Sequence, residues 1–387
     1  MSDPHPLAWI DDEAARWSAR GLDRRLIAHG TATPGRFVRD GRSFLNFGAN
    51  DYLGLASDPR LAEAALIAAE QFGWGAGASP LVAGWTEVHQ SLVETIATFE
   101  KTEAALLFPT GYAANLGTIA ALAGKSDVVY SDRLNHACLI DGARLSRANV
   151  RVYPHNDPAK LGEILEREHG RFRRSLIVTD GVFSMDGDLA PLAELAGIAD
   201  RHGAMLLVDE AHGTGVFGPD GRGAASACGV ADRVHVRVGT LSKALGSVGG
   251  FVAGSKRLID WLVNRARTQM YSTSLPPAAA AAALEAFKII EAEPWRRDHV
   301  LALGAWLRER LTAAGFDVGP SAGPIMPVIL GDVDKTVALA GRLRELGLFI
   351  PAIRPPTVPE GTARLRISLS AAHTESDIDS LTDAIQS

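Results

Sequence analysis

Several features that mark particular protein classes are scarce or missing in this sequence. It has only two cysteines, Cys138 and Cys228, among 387 residues, which argues against a disulfide framework and favours a reducing compartment. No apolar run reaches the roughly 20 residues that a membrane-spanning helix needs. Residues 1–6 have neither the basic nor the apolar region of a signal peptide. We therefore expect a cytoplasmic protein with no membrane contact.

An excess of positive charge is also missing. The chain has 39 basic and 45 acidic residues, a net charge of −6, and its basic residues are scattered, so we expect no nucleic-acid partner. The helix start that follows the first apolar run, at residues 109–115, has neither a G-x-G-x-x-G nor a G-x-x-x-x-G-K motif, which disfavours a dinucleotide or a nucleoside triphosphate as its ligand. The hydrophobic content of 47% is ordinary for a globular protein.

Short apolar runs alternate with helical segments in the middle of the chain. The runs cover residues 104–108, 127–130, 151–153, 175–179, 205–208, 234–238 and 251–253. This alternation predicts a mostly parallel seven-stranded sheet with helices on both faces. In such α/β sheets ligands bind at the carboxyl ends of the strands.

The two ends of the chain have different patterns. Residues 7–29 are predicted to form a helix, and Asp40-Gly41 joins two predicted strands, 36–39 and 43–47, into a hairpin. Beyond residue 277 long helices and a few strands predict a smaller α+β unit. We therefore expect an N-terminal helix and hairpin segment over 1–55, a large domain over 56–276 and a C-terminal α+β domain over 277–387.

Lys243 follows the sixth of these apolar runs and is flanked by hydroxyls and glycines. A lysine at a strand end suits a Schiff base with a phosphorylated aldehyde cofactor, because the amine is partly desolvated and the small neighbours let a flat ring approach. A surface lysine in a glycine-rich loop is the alternative.

Asp209 directly follows the run 205–208. An aspartate there is costly to bury unless it has a charged or hydrogen-bonded partner. A protonated pyridine nitrogen would be such a partner, and His212 could reach a substituent of the same ring. The alternative is an aspartate in a turn.

Three other strand ends carry polar or glycine-rich motifs. Gly111 opens a helix whose first N–H groups suit a monophosphate, although a plain helix start explains it equally well. His136 either stacks on a cofactor or is an ordinary loop histidine. The stretch 180–188 places two aspartates around Gly187, which a turn explains; no metal is expected, since no further ligand pair follows. Taken together with Lys243 and Asp209, these motifs describe a pyridoxal phosphate site.

The chain resembles the α-oxoamine synthase family of fold-type I pyridoxal-phosphate enzymes over nearly its whole length. The matching stretches are Asn50–Leu55, Gly111–Asn115, Asn135-His136, Asp180–Asp188, Val208–Gly215, Thr240–Lys243 and Tyr271–Pro277. The resemblance implies a homodimeric acyltransferase that uses pyridoxal 5'-phosphate.

The resemblance also implies a role for each matching residue. Lys243 would hold the cofactor, Asp209 would pair with the pyridine nitrogen and His136 would stack on the ring. The phenolic oxygen would be contacted by Ser184 and His212. The phosphate would be bound by Gly111, Tyr112 and Thr240, and by Thr273 of the second subunit.

Substrate residues follow from the same resemblance. Arg366 would bind the amino-acid carboxylate, Arg24 and Thr357 would lie along the acyl chain, and His136 would polarise the acyl carbonyl. Strand period alone places Arg364 and Arg366 on one face and predicts an exposed pair.

The stretches 352–359 and 362–367 most resemble family members that condense L-alanine with pimeloyl-CoA or pimeloyl-carrier protein, an acyl transfer of biotin synthesis. Glycine with a shorter acyl-CoA is the alternative within the family, and a non-catalytic binding module is the alternative outside it. The loop 75–84 departs from the family pattern at Ala78 and Pro80, which puts the binding of the acyl chain in doubt.

Overall fold

The computed structural model describes residues 5–19, 22, 24 and 26–387. The strands are β1 (Ala32–Thr33), β2 (Arg36–Arg39), β3 (Arg42–Asn46), β4 (Ala104–Phe108), β5 (Val128–Asp132), β6 (Asn149–Tyr153), β7 (Ser175–Asp180), β8 (Met205–Asp209), β9 (Val236–Thr240), β10 (Gly250–Gly254), β11 (Ile325–Gly331), β12 (Leu348–Phe349), β13 (Ala352–Ile353) and β14 (Ala363–Ser368). The helices are α1 (Trp9–Ala19), α2 (Pro59–Phe72), α3 (Glu87–Glu100), α4 (Gly111–Leu122), α5 (Ala137–Ser146), α6 (Pro158–Arg167), α7 (Leu192–His202), α8 (Ala224–Ala227), α9 (Lys256–Arg265), α10 (Arg267–Met270), α11 (Pro277–Ala292), α12 (Trp295–Ala313), α13 (Val333–Glu345) and α14 (Glu375–Gln386).

The seven predicted apolar runs form one central sheet in the order β4-β10-β9-β8-β7-β5-β6. Strands β5 to β9 are parallel to their neighbours in that block, whereas β10 is antiparallel to both β4 and β9. The predicted fold class, a fold-type I arrangement with a mostly parallel seven-stranded sheet, is confirmed. The Val, Ile and Leu side chains of these strands are buried because helices cover both faces, except on the edge strand β6, where Val150 and Val152 are exposed.

The register of this sheet brings separate strand ends to one rim. Asp180 at the end of β7 lies opposite Asp209 at the end of β8, and Asp209 lies opposite Val238 of β9. Gly250 at the start of β10 faces both Thr240 and Phe108. The predicted site motifs therefore share one edge of the sheet.

Two smaller sheets flank the central one. The predicted hairpin forms between β2 and β3, and Asp40 and Gly41 in its turn both have positive φ, 49° and 72°. Strand β12 pairs in parallel with β3, so the hairpin is tied to the C-terminal part of the chain. The third sheet is antiparallel, with β14 between β11 and β13. The domain boundaries near residues 55 and 276 stay a prediction.

The N-terminal helix is shorter than predicted. The sequence pattern gave a helix over 7–29, but α1 ends at Ala19, and the described residues from 26 to 29 are not helical. No residue of α1 is buried, so the apolar positions that suggested a longer helix have no core of this chain to pack against. Residues 20, 21, 23 and 25 lie outside the described part. Within the part that is described, no helix combines the length and apolarity needed to span a membrane.

Candidate active site

Lys243 lies in the loop between β9 and β10, and its Nζ atom is 2.8 Å from Nε2 of His212. Burial lowers the pKa of Lys243 to about 8, although the negative charge of Asp209 acts in the opposite direction. The loop turns back at Gly246, where φ is 62° and a Cβ atom would lie 2.6 Å from the Ala56 nitrogen. The amine is thus a fixed and partly desolvated nucleophile, not a surface lysine.

Asp209 ends β8 and is almost completely buried. Its Oδ2 accepts a hydrogen bond of 2.7 Å from Nδ2 of Asn115, and its Oδ1 accepts one of 2.9 Å from the Ala211 N–H. Asn115 lies on α4, four residues after Gly111, so the two residues share one face of this helix. The first turn of the same helix forms the candidate phosphate site. The carboxylate is therefore held in one orientation at the floor of the site.

The N-terminus of α4 forms the candidate phosphate site. Thr110 caps this helix by accepting a 3.0 Å hydrogen bond from the Ala113 N–H, which leaves the earlier N–H groups of Gly111 and Tyr112 without an acceptor inside the helix. A Cβ atom at Gly111 would lie 3.3 Å from the Thr240 side chain, and one at Gly250 would lie 2.6 Å from the backbone of Gly111. The close approach of the two backbones requires glycine at position 250, whereas a side chain at position 111 would need the Thr240 side chain to shift slightly.

His136 caps α5, and its backbone N–H donates a 2.7 Å hydrogen bond to Oδ2 of the buried Asp180. Its Nδ1 atom lies 2.9 Å from Sγ of Cys138. Burial lowers the pKa of His136, so the ring is neutral at physiological pH. The ring of Tyr112 meets it edge to face, with centroids 6.4 Å apart. His136 is thus a neutral, oriented aromatic ring at the mouth of the site.

Arg366 and Arg364 on β14 are both buried, which makes the prediction of an exposed arginine pair wrong. The strand is the middle one of its sheet, and its face lies against the 181–188 loop of the large sheet. Arg364 pairs with Asp186 of this loop. Arg366 donates a 2.5 Å hydrogen bond from Nε to the Ser184 carbonyl oxygen. Burial against the loop explains why strand period alone gave the wrong exposure.

Arg366 also contacts the 50–55 turn. Its two terminal nitrogens each lie 3.2 Å from Oδ1 of Asn50, and Nη1 donates a 2.6 Å hydrogen bond to Oγ of Ser368. The positive charges of Arg366 and Lys243 act on the same buried His212, whose pKa is held well below its usual range mainly by burial and then by these charges. A carboxylate that displaced Asn50 would meet a fixed guanidinium fork.

The two residues predicted to lie along the acyl chain are in contact. Nη2 of Arg24 is 3.3 Å from Oγ1 of Thr357, although 333 residues separate them. Both side chains are exposed. The structure therefore brings the N-terminal segment and the 354–359 loop together at one edge of the molecule.

Thr273 lies in the exposed segment between α10 and α11 and makes no hydrogen bond to the other predicted site residues within the described chain. Its neighbour Ser274 donates a 3.1 Å backbone hydrogen bond to the carbonyl of Ala78. The loop that departs from the family pattern is thus packed beside the Thr273 segment. Its effect on acyl binding, and the role of Thr273 in a second subunit, stay predictions.

The donor set fits a pyridine ring that carries an aldehyde and a phosphate. Lys243 supplies the amine for the aldehyde, and Asp209 supplies a buried carboxylate for a protonated ring nitrogen. The glycine-lined start of α4 suits the phosphate. Oδ1 of Asn115, the residue that also holds Asp209, is a buried acceptor without a partner in the described chain.

Comparisons with known proteins agree with this geometry. Residues 42–385 match the family described as aminotransferase class I and II. The 8-amino-7-oxononanoate synthase of Anaeromyxobacter dehalogenans (strain 2CP-1 / ATCC BAA-258) is 52% identical over 379 residues, which cover 98% of this chain and 95% of that protein. The chain belongs to the 8-amino-7-oxononanoate synthase family. The resemblance to α-oxoamine synthases is thereby confirmed.

Solved structures of this fold include members with different substrates. A serine palmitoyltransferase from S. paucimobilis, solved with a bound PLP–myriocin aldimine, is 32% identical, with a TM-score of 0.93 and coverage of 99% of this chain and 98% of that one. The 8-amino-7-oxononanoate synthase from Francisella tularensis is 30% identical, with a TM-score of 0.77 and coverage of 89% and 97%. This chain therefore shares its backbone with enzymes of two different names.

Several residues that shape the site were not assigned a role from the sequence. They are Asn50, Tyr52, Asn115, Cys138, Asp180 and Asp186. Most lie inside motifs that the resemblance matched. The spacing of four residues between Gly111 and Asn115 was the one usable signal, since it places both on one face of a helix.

Proposed function

We propose that this chain catalyses the decarboxylative condensation of L-alanine with pimeloyl-CoA or pimeloyl-carrier protein. The products are 8-amino-7-oxononanoate, carbon dioxide and the free thiol. The observation that carries the proposal is the pairing of an oriented Lys243 amine with a buried, Asn115-held Asp209 on the adjacent strand end. Membership of the synthase family supports the choice of substrates.

Pyridoxal 5'-phosphate is the cofactor, and when bound it supplies an electron sink next to the α-carbon of the amino acid. Lys243 would hold it and Asp209 would face its ring nitrogen. The start of α4 with Thr240 would hold its phosphate, and Ser184 and His212 would lie on its phenolic side. These assignments rest on the placement of all these residues at one rim of the sheet.

Lys243 also suits the role of the base that removes the α-proton of alanine. With a pKa of about 8, a substantial fraction of the amine is neutral near physiological pH, and its conjugate acid is still able to return a proton. His212, 2.8 Å away, offers a neutral imidazole partner for the amine in either state. Proton removal and return at the α-carbon then need no second base.

The substrates would be oriented by residues around this amine. Arg366 would bind the alanine carboxylate, since its fork is already aligned on an oxygen acceptor, Oδ1 of Asn50. His136 would polarise the acyl carbonyl. The contact between Arg24 and Thr357 would border the path of the acyl chain.

We also propose a homodimer in the cytoplasm. Apolar side chains of α2 and the loop that follows it are exposed in the single chain; they are Leu66, Ile67, Trp74, Leu81 and Val82. An exposed apolar set of this size suits a partner surface, and the Thr273 segment packs beside the same loop. Both cysteines are free, which suits a reducing compartment.

The test is a product assay with purified, cofactor-loaded protein. L-alanine and glycine are each combined with pimeloyl-CoA, pimeloyl-carrier protein and acetyl-CoA, and products are identified by mass spectrometry. We expect 8-amino-7-oxononanoate only from alanine with a pimeloyl thioester. Lys243→Ala should abolish it, while Lys125→Ala on the surface should not. A protein that takes up no pyridoxal phosphate, or that forms product only from glycine and acetyl-CoA, would refute the proposal.

A further inference from the structure

A continuous chain of hydrogen bonds links Lys243 to Arg366 through the side chains of His212, Tyr52 and Asn50. Tyr52 has no role in the proposed reaction described above. Nζ of Lys243 is 2.8 Å from Nε2 of His212, and Nδ1 of His212 is 2.6 Å from the hydroxyl oxygen of Tyr52. The Tyr52 hydroxyl is in turn 3.2 Å from Oδ1 of Asn50, which accepts from Arg366. The base and the carboxylate-binding arginine are therefore physically connected.

Tyr52 is completely buried, and its position is fixed by the turn that precedes α2. The Ala371 N–H donates a 2.8 Å hydrogen bond to the Tyr52 carbonyl, and Arg296 donates one of 2.9 Å to the Leu53 carbonyl. Oδ1 of Asp51 accepts a 2.8 Å hydrogen bond from the Leu55 N–H. Because the turn is held on several sides, the hydroxyl cannot move away from His212 without disrupting the backbone.

The Tyr52 hydroxyl has one hydrogen and two acceptors within reach, Nδ1 of His212 and Oδ1 of Asn50. Burial raises the pKa of Tyr52, so the hydroxyl keeps its hydrogen. Burial and neighbouring positive charges keep His212 neutral, so exactly one of its ring nitrogens carries a hydrogen. The hydrogen bonds along the chain must therefore all point the same way, toward Asn50 or toward Lys243.

The charged amine suits only the direction toward Asn50, because it can donate but not accept, whereas the neutral amine has a lone pair and can also accept. When Lys243 is charged it donates to Nε2, His212 donates from Nδ1 to the Tyr52 oxygen, and Tyr52 donates to Asn50. When Lys243 is neutral, its lone pair allows the reverse direction, in which Tyr52 donates to Nδ1 and His212 donates from Nε2 to the amine. Every buried polar atom of His212 is paired in both cases.

We propose that Tyr52 is a positioning residue for Lys243: its hydroxyl reverses between Asn50 and His212 and so lets His212 pair with both the charged and the neutral amine. This goes beyond the proposed function, because it concerns how the base is maintained and not which substrates react. The proposal rests on distances among five side chains of this chain alone.

Other charged or titratable groups also face Lys243 and must be counted. They are Asp209 from β8, Asp180 from β7, Arg366 from β14 and Cys138 from α5. His212 is faced in addition by His136. Among the described residues, Nδ1 of His212 makes its hydrogen bond to the Tyr52 oxygen and to none of these groups.

Tyr52→Phe keeps the ring and removes only the hydroxyl. The charged lysine then requires an Nδ1–H on His212 that has no acceptor, and a buried unpaired donor is costly. The charged amine is therefore disfavoured. We expect the pH at which Lys243 is half reactive toward an acylating reagent to fall by about one unit, a tenfold change in the proton affinity of the amine.

The experiment uses cofactor-free protein and follows modification of Lys243 by mass spectrometry across pH. Tyr130→Phe is the matched control, since Tyr130 is equally buried but donates to Glu168, 38 residues away and outside the site. Its half-reactive pH should equal that of the wild type. An unchanged half-reactive pH in Tyr52→Phe, or an equal fall in the control, would overturn the proposal.

A second measurement follows the tautomer of His212 in the wild-type protein and does not require a substitution at Tyr52. In wild-type protein with 15N-labelled histidine, the hydrogen of His212 should move from Nδ1 to Nε2 as the pH rises through the titration of Lys243, with His212→Gln used to assign the signals. A single His212 tautomer on both sides of that titration would contradict the reversal. In turnover with the loaded enzyme, Tyr52→Phe should lower kcat while KM for alanine changes little.

Discussion

Arg366 provides the sharpest test of the substrate site, because the same strand carries a matched control. Its guanidinium makes hydrogen bonds of 2.5 Å to the Ser184 carbonyl, 2.6 Å to Ser368 and 3.2 Å to Asn50, so the fork is fixed before a substrate arrives. In Arg366→Lys the charge remains but the second parallel hydrogen bond to a carboxylate is lost. This loss costs about 2 kcal/mol, which is about 30-fold in affinity.

The assay is a spectral titration of the cofactor-loaded protein with L-alanine, followed by kcat/KM measurements. We expect the dissociation constant of alanine to rise about 30-fold in Arg366→Lys. Cofactor affinity should change much less than alanine affinity, since within the described chain the only proposed cofactor residue that Arg366 contacts is Ser184, and it does so through the backbone carbonyl.

Arg364→Lys is the control, because Arg364 is also buried on β14 but pairs with Asp186. A lysine there keeps an ion pair, so the affinity for alanine should change by no more than about threefold. If Arg366→Lys binds alanine as well as the wild type does, or if both variants lose affinity equally, Arg366 is not the carboxylate-binding residue.

Three further predictions concern the orientation of Asp209 by Asn115, the buried hydrogen bonds of His155 and the oligomeric state. Asn115→Ala frees the Asp209 carboxylate and should weaken pyridoxal phosphate binding about tenfold by fluorescence titration; unchanged binding would refute the orienting role. Burial opposes the charge of His155, but hydrogen bonds to Asp132 and Asp188 outweigh it and raise its pKa to about 10. His155→Gln should therefore lower the free energy of unfolding, measured with urea at pH 7, by about 2 kcal/mol. The loss should be complete below pH about 6.5 and should vanish as the pH rises through about 10. A loss that does not depend on pH would contradict this assignment. Light scattering should give twice the chain mass of 41.0 kDa, and a mass of one chain would exclude the dimer.

Much of the fold was predictable because its signals are local. The central strands are continuous apolar runs, the hairpin turn has Asp40-Gly41, and α14 begins with a capping box of Thr374 and Asp377, a local sequence signal. The helix over 7–29 was the failure, because apolar spacing indicates a helix face but not whether anything in the chain covers it. The prediction that the β14 arginines are exposed was wrong for the same reason, because the strand period indicates which residues share a face but not what packs against that face.

The order of strands and helices along the chain could be read from the sequence. That order already implied that Lys243, Asp209, His136 and Gly111 follow strands whose ends meet at one rim. This works because the carboxyl ends of parallel strands lie on the same side of a sheet. The hydrogen-bond partners of these residues, in contrast, became known only from the folded chain. Asn115 reaches Asp209 across 94 residues, Tyr52 reaches His212 across 160, and Arg366 reaches Ser184 across 182. Such contacts depend on how the helices and the flanking sheets pack against the central sheet, and no local periodicity carries that information.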